Sequence, residues 1–175
     1  MIKRSNKRKS SFADIPIFEA MEIISDSAEK TLDIGKRLAG NLRKGDIVCL
    51  FGDLGSGKTV LTKGISSGLG VDKDKVVSPT FVILRQYQGK VMIYHFDLYR
   101  LNRPEDILDL GYEEYFFDEG ISVIEWADKL GRLLPREFLK IQLSVAGKDK
   151  RKLKISAEGL RYKKLLEDIR EDFGH

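Results

Sequence analysis

Lys58 and Thr59 are the residues best suited to chemistry in this chain, because of what precedes them. They close the run Gly52-Asp53-Leu54-Gly55-Ser56-Gly57-Lys58-Thr59. That run fits the Walker A pattern G-x-x-x-x-G-K-[ST] of a phosphate-binding loop. The backbone N–H groups of Asp53, Leu54, Gly55, Ser56 and Gly57 must turn inward around phosphate oxygens. Glycine permits the φ values and the close approach that this requires. Lys58 would bring a point charge to the β- and γ-phosphates of a nucleotide, and Thr59 would offer a hydroxyl to Mg²⁺. A helix starting near Lys58 would aim its positive end at the same anion.

The flanks agree with that chemistry. Asp46-Ile47-Val48-Cys49-Leu50-Phe51 is a short apolar run that reads as a buried strand. The segment from Val60 to Leu69 reads as a helix weakened by Gly64 and Gly68. Strand, glycine loop and helix are the context the motif needs.

Such a loop also needs an acidic partner that holds Mg²⁺ directly or through water, commonly at the carboxyl end of a neighbouring strand. Two apolar runs end in one. Val91 to Phe96 ends at Asp97, and Ile121 to Ile124 ends at Glu125. Both carboxylates are hard oxygen ligands suited to Mg²⁺. His95 lies two residues before Asp97, on the same side of a strand, where it would orient Asp97 or serve as an interior histidine. Trp126 reads as core in preference to a partner anchor. Thr80 follows a proline and precedes a strand, a place suited to a threonine that senses the γ-phosphate.

The chain has 175 residues, 42% hydrophobic and 33% charged. That is enough for one domain with a sizeable core. No apolar run approaches membrane-spanning length and no secretory signal is visible, so a cytoplasmic protein without membrane contact is expected. The lone Cys49 sits inside the apolar run before the loop and reads as a buried, unreactive thiol. The net charge is +4, but Lys3, Arg4, Lys7, Arg8 and Lys9 all precede the first acid, Asp14. The rest of the chain is therefore close to neutral. Residues 1–14 read as a basic, disordered tail, and residues 15–175 as a single domain. A solvated extension is the plainer reading of that tail, and contact with RNA or another acidic surface the sharper one.

The remaining elements follow from pattern. Ile15 to Ile24 reads as a first strand, and Ser25-Asp26-Ser27 as the start of a helix that Gly40 stops. Leu32, Gly35 or Lys36, Leu38 and Ala39 mark that helix's spacing. Val71 to Val77 is a charged connector without a strong pattern. Phe81 to Tyr87 and Lys90 to Phe96 form a hairpin around Gln88-Gly89. Pro104 to Phe117 gives two short helices interrupted at Gly111. Phe138 to Val145 and Lys152 to Ala157 pair around Gly147-Lys148-Asp149, and Leu160 to Phe173 closes as an amphipathic helix. The expectation is an α/β, three-layer P-loop NTPase fold with a mixed, largely parallel-core sheet flanked by helices.

Taken together, the phosphate loop, Ser78-Pro79-Thr80-Phe81, Tyr94-His95-Phe96-Asp97-Leu98-Tyr99-Arg100 and Ile124-Glu125-Trp126 resemble the TsaE family, formerly YjeE. Order and spacing match from about Ser27 over nearly the whole chain; the tail lies outside. The resemblance implies an ATP- and Mg²⁺-dependent P-loop ATPase needed for threonylcarbamoyladenosine (t6A) formation on tRNA, at the adenosine beside the anticodon. It implies TsaD, which transfers the threonylcarbamoyl group, and its pseudo-enzyme partner TsaB as partners, with tRNA reached through them. TsaC makes the donor, and the ATP cycle resets the TsaB–TsaD assembly between turnovers. By the same resemblance Lys58 binds phosphate, Thr59 and Glu125 hold Mg²⁺, and Asp97 and Thr80 serve hydrolysis, with Asp97 also a candidate metal ligand. Ser27 to Thr31 matches the part near the adenine, and Arg151 a basic nucleotide contact.

Three other readings compete. A small-molecule P-loop kinase needs an acceptor pocket and an arginine-bearing lid, and no such lid pattern follows the loop, although Arg100 and Arg103 could be recruited. A GTP-dependent switch predicts N-K-x-D, which is absent from the sequence. A non-catalytic nucleotide-binding adapter would share the loop.

Overall fold

The computed structural model describes residues 20–78, 82–116 and 118–174. The basic tail, Thr80 with its neighbours Pro79 and Phe81, and Phe117 lie outside the described residues. One seven-stranded sheet carries the fold, in the order β1-β7-β6-β2-β5-β4-β3. Its strands are β1 (Met21–Ser25), β2 (Ile47–Phe51), β3 (Leu84–Gln88), β4 (Met92–Asp97), β5 (Ile121–Glu125), β6 (Phe138–Val145) and β7 (Arg151–Glu158). β6, β2, β5 and β4 run parallel. β7 and β3 pair antiparallel to either side of that core, and β1 adds antiparallel to β7. The sheet is thus mixed with a parallel core, as the sequence implied.

Side chains alternate between the two buried faces of the parallel strands and so separate two cores. Val48, Leu50, Ile93, Val123 and Ile141 face α1 (Ala28–Ala39), α2 (Lys58–Gly68) and α4 (Leu160–Phe173). Ile47, Cys49, Phe96 and Ile124 face the opposite layer. That layer comprises α3 (Tyr112–Phe116) and the 3₁₀ segments Pro104–Leu110 and Ala127–Leu133. Cys49 is fully buried there, and burial pushes its thiol pKa far up, which leaves it protonated and inert.

Helix α1 starts where Ser27 Oγ accepts from the Lys30 N–H at 3.0 Å. Its buried face is Thr31, Ile34, Gly35, Leu38 and Ala39. Leu32, expected on that face, is only half-buried, and Ile34 takes the core position. The glycines of α2 have a packing use that its weak propensity hid. A Cβ at Gly64 would stand 2.2 Å from Leu32 O, and one at Gly35 would stand 2.5 Å from Leu61 O. The two helices pack backbone against backbone.

Three further expectations shift. Among the described residues the first strand, expected over Ile15 to Ile24, runs Met21–Ser25, one residue into the expected helix start. The connector is not featureless: Asp72 caps the 3₁₀ turn Lys73–Lys75, and Val71 and Val76 are buried in the larger core. β3 starts at Leu84, because Ile83 takes a positive φ of 67° that breaks extended geometry.

Candidate functional site

The carboxyl ends of β2, β4 and β5 meet the start of α2 around a cavity of about 490 Å³. Gly52 leaves β2 at φ 136°, where a Cβ would stand 2.2 Å from Leu143 O, so only glycine turns the chain here. Gly57, at φ 102°, ends the loop and begins α2. The N–H groups of the helix's first turn have no intrahelical acceptor and open toward the cavity.

Lys58 is 5% exposed. Its Nζ donates to Gly52 O, to Asp53 O at 2.8 Å and to Ser56 Oγ at 3.4 Å. It also sits 3.7 Å from the centroid of the Trp126 ring. Burial lowers its pKa, and the carboxylates of Glu125, Asp97, Asp128 and Asp53 oppose that shift. The lysine is thus folded back on the loop's own carbonyls, whose place a phosphate oxygen would take.

Glu125 is almost fully buried at the end of β5. Its Oε2 accepts from Thr59 Oγ1 at 2.8 Å. Its Oε1 lies 2.8 Å from His95 Nε2 and accepts from Thr62 Oγ1 at 3.2 Å. Asp97 pairs with Glu125 across the parallel ladder. Asp97 Oδ1 accepts from the Tyr99 N–H at 3.0 Å, and Oδ2 from Ser78 Oγ. His95 therefore contacts Glu125, where the sequence suggested Asp97. The pleat explains both: His95, Asp97 and Glu125 all face α2, and the ladder sets β4 beside β5.

The residues read from sequence fall into three groups. Leu54, Gly55, Gly57, Lys58, Thr59, Asp97, Glu125, Thr31 and Arg151 line the cavity. Arg151 Nε donates to Gly55 O at 3.2 Å, which ties β7 to the loop. Ser27 spends its hydroxyl on capping α1, and Ala28 takes the wall position beside it. Asp53 contributes its carbonyl to Lys58, and Ser56 is buried beneath the loop. Thr80 lies outside the described residues. Trp126, expected in the core, is half-buried: it packs against the second core and also lines the cavity, with φ 59° and its ring 5.0 Å from that of Tyr99. Tyr99 and Asp149 also line the cavity and were not singled out from sequence. The tyrosine lay inside the block that carries the resemblance, whereas Asp149 sat in an ordinary turn.

The donor set fits a nucleotide with Mg²⁺. One hydroxyl, Thr59, and two carboxylates, Glu125 and Asp97, are hard oxygen donors. Among the described residues no group of three or more His, Cys, Asp or Glu side chains forms a metal cage. Mg²⁺ is generally held by one or two carboxylates plus substrate phosphates. No helix among the described residues is long and apolar enough to cross a membrane.

Known proteins resemble this chain over most of its length. A family model described as threonylcarbamoyl adenosine biosynthesis protein TsaE matches residues 25–153. The chain is 42% identical over 142 residues to the tRNA threonylcarbamoyladenosine biosynthesis protein TsaE of Bacillus subtilis, covering 81% of this chain and 88% of that protein. It is 36% identical over 136 residues to the protein of the same name from Treponema pallidum, covering 78% and 100%. A crystal structure of YdiB from Bacillus subtilis superposes with a TM-score of 0.74 at 34% identity, covering 87% of this chain and 95% of that one. The chain belongs to the TsaE family and has its P-loop NTPase fold.

Proposed function

We propose that this member of the TsaE family is a Mg²⁺-dependent ATPase. It serves t6A modification of tRNA by acting on a complex of TsaB and TsaD homologues to sustain their turnover. The observation that carries the ATPase reading is the convergence of Lys58, Thr59, Glu125 and Asp97 on one cavity. The relatives' names carry the pathway.

In this reading the triphosphate lies along the loop. Lys58 leaves the carbonyls of Gly52 and Asp53 and pairs with the β- and γ-phosphates. Thr59 and Glu125 would hold Mg²⁺, which neutralises phosphate charge. Phosphoryl transfer to water depends on positioning and charge neutralisation, with little covalent work for the protein. Asp97 would orient the attacking water and take its proton as the bond from the γ-phosphorus to the bridging oxygen breaks. Its carboxylate is fixed for that by the Tyr99 N–H and the Ser78 hydroxyl. Ser78 leads directly to Thr80, so a γ-phosphate or a docked partner that moves this segment would also move Asp97.

A partner preferring the ATP-ordered segment must bind the ATP-loaded protein more tightly, by linkage. The test measures ATP hydrolysis alone and with homologues of TsaB and TsaD. It also measures affinity for that pair with a non-hydrolysable ATP analogue, with ADP and without nucleotide. The expected result is low activity alone, changed activity in the complex and strongest binding with the analogue. No ATP turnover in either setting overturns the ATPase reading. Equal affinity in all three states overturns nucleotide-gated assembly.

A further inference from the structure

His95 is fully buried, yet the reaction outlined above gives it no part. Its Nε2 lies 2.8 Å from Glu125 Oε1. Its Nδ1 is buried without a hydrogen-bond partner among the described residues. An ionised carboxylate only accepts, so Nε2 must carry the proton that bridges the pair. A proton on Nδ1 would be a buried donor without an acceptor, a costlier orphan than a bare lone pair. The geometry thus leaves Nε2–H to Glu125 Oε1 as the ring's hydrogen bond.

That contact divides the two oxygens of Glu125. Oε1 is taken by His95 and by Thr62. Thr62 also reaches Lys58 O at 3.0 Å, so its one proton is shared and His95 is the dedicated donor. Oε2 faces Thr59 Oγ1, the hydroxyl on which the loop's metal chemistry depends. Asp97 stands directly across the ladder from Glu125. Like charges so placed repel, and an untethered Glu125 would turn away.

We propose that His95 is a positioning residue of the metal site: it pins Glu125 Oε1 so that Oε2, beside the Thr59 hydroxyl, is the oxygen offered to Mg²⁺. This rests on the ATPase reading above. Histidine on β4 has the reach for it, crossing one strand to a residue two places along in register.

The test compares the parent with His95→Leu and His95→Gln. Gln places an amide N–H near the position of Nε2, whereas Leu fills the space without a donor. Mn²⁺ binding to the nucleotide-loaded protein is read by electron paramagnetic resonance. Affinity for a fluorescent ATP analogue is read in EDTA, and hydrolysis is followed against Mg²⁺ concentration. The Leu variant is expected to bind Mn²⁺ about tenfold or more weakly and to need correspondingly more Mg²⁺, the usual cost of losing a group that orients a ligand. Its metal-free nucleotide affinity is expected within about twofold of the parent, and Gln is expected to recover most of the metal affinity. Should the Leu variant not fold, His95→Asn carries the same comparison, because its amide nitrogen stops near the position of Nδ1. Parent-like Mn²⁺ binding in the folded Leu or Asn variant overturns this inference alone. A parent whose nucleotide complex binds no Mn²⁺ overturns both this inference and the Mg²⁺-dependent reading.

Discussion

The two ends of the central strand β2 each open onto a cavity, and the larger one is at the end without the phosphate loop. The carboxyl end meets the nucleotide-sized space of about 490 Å³. The amino end, at Asp46 and Ile47, meets one of about 670 Å³ lined by Tyr112, Phe116, Arg132, Arg161 and Tyr162 among others. The difference lies in how the polar groups are spent. At the amino end they are spent on the fold. Asp46 Oδ2 accepts from the Arg43 N–H at 2.7 Å and from Arg161 Nη2 at 2.8 Å. Tyr162 Oη accepts from the Ile47 N–H at 2.7 Å, and Glu137 Oε1 from the Leu160 N–H at 3.1 Å. These bonds fasten α4 and the turn before β2, and a ligand replacing them would loosen the sheet. At the carboxyl end Lys58 is held by carbonyls of its own loop, with Ser56 Oγ and the Trp126 ring beside it, and a phosphate can replace those carbonyls without disturbing the core. Volume is a poor guide to function; replaceable partners are a better one.

Substitutions can break this contrast. The largest effect is expected from Lys58→Ala. It should lower ATP affinity or turnover by a hundredfold or more, the scale of a charge-assisted contact of about 3 kcal/mol. Stability in urea should barely fall, because burial already disfavours the charged lysine. Parent-like binding and hydrolysis of ATP by the folded variant would remove the loop assignment.

Tyr162→Phe should do the reverse. It leaves the Ile47 N–H buried without its acceptor, at a cost of about 1–3 kcal/mol of stability, with ATP affinity unchanged. Burial above all pushes the Tyr162 pKa from 10.0 up to about 12, against the lowering effect of the Ile47 hydrogen bond. The folded state therefore favours the protonated phenol. That contribution is fully present below pH 10 and is lost as pH rises through about 12. Urea melts from pH 7 to 12 should show this alkaline loss in the parent and a flatter profile in the Phe variant. Identical profiles would refute the assignment.

The smallest effect sharpens the contrast from the rim of the larger cavity. Arg132 pairs with Glu105 at 2.6 Å, with both side chains largely in solvent. Arg132→Ala should change stability by less than about 1 kcal/mol, as exposed ion pairs do. It should leave nucleotide affinity untouched. A clear loss of ATP binding would show that the two ends of β2 are coupled.

Much of this was legible in the chain, for identifiable reasons. β2 and β5 are buried on both faces and read as continuous apolar runs, so their ends, and with them Glu125, were predictable. The loop was legible because its glycines answer a backbone requirement that no other residue meets. The helix α2 was legible despite its glycines, but their packing use was not, because propensity is local whereas the contact with Gly35 and Leu32 O is not. Trp126 was only half legible. An aromatic after a buried strand reads as core, and the ring does pack against the second core, but it also covers Lys58 at the cavity.

The sequence by itself determined the phosphate loop, the acidic strand ends, the alternation of elements and the family to which the chain belongs. Each rests on residue types and spacings along the chain, without knowledge of which segments meet. Only the tertiary structure decided which partners meet. It set β4 against β5 so that His95 reaches Glu125 and not Asp97. It brought Arg151 of β7 to Gly55. It filled the larger cavity's edge with bonds that belong to the fold. The physical reason is that strand order and register are fixed by burying two faces of a sheet at once, a condition on the whole chain that no single segment contains.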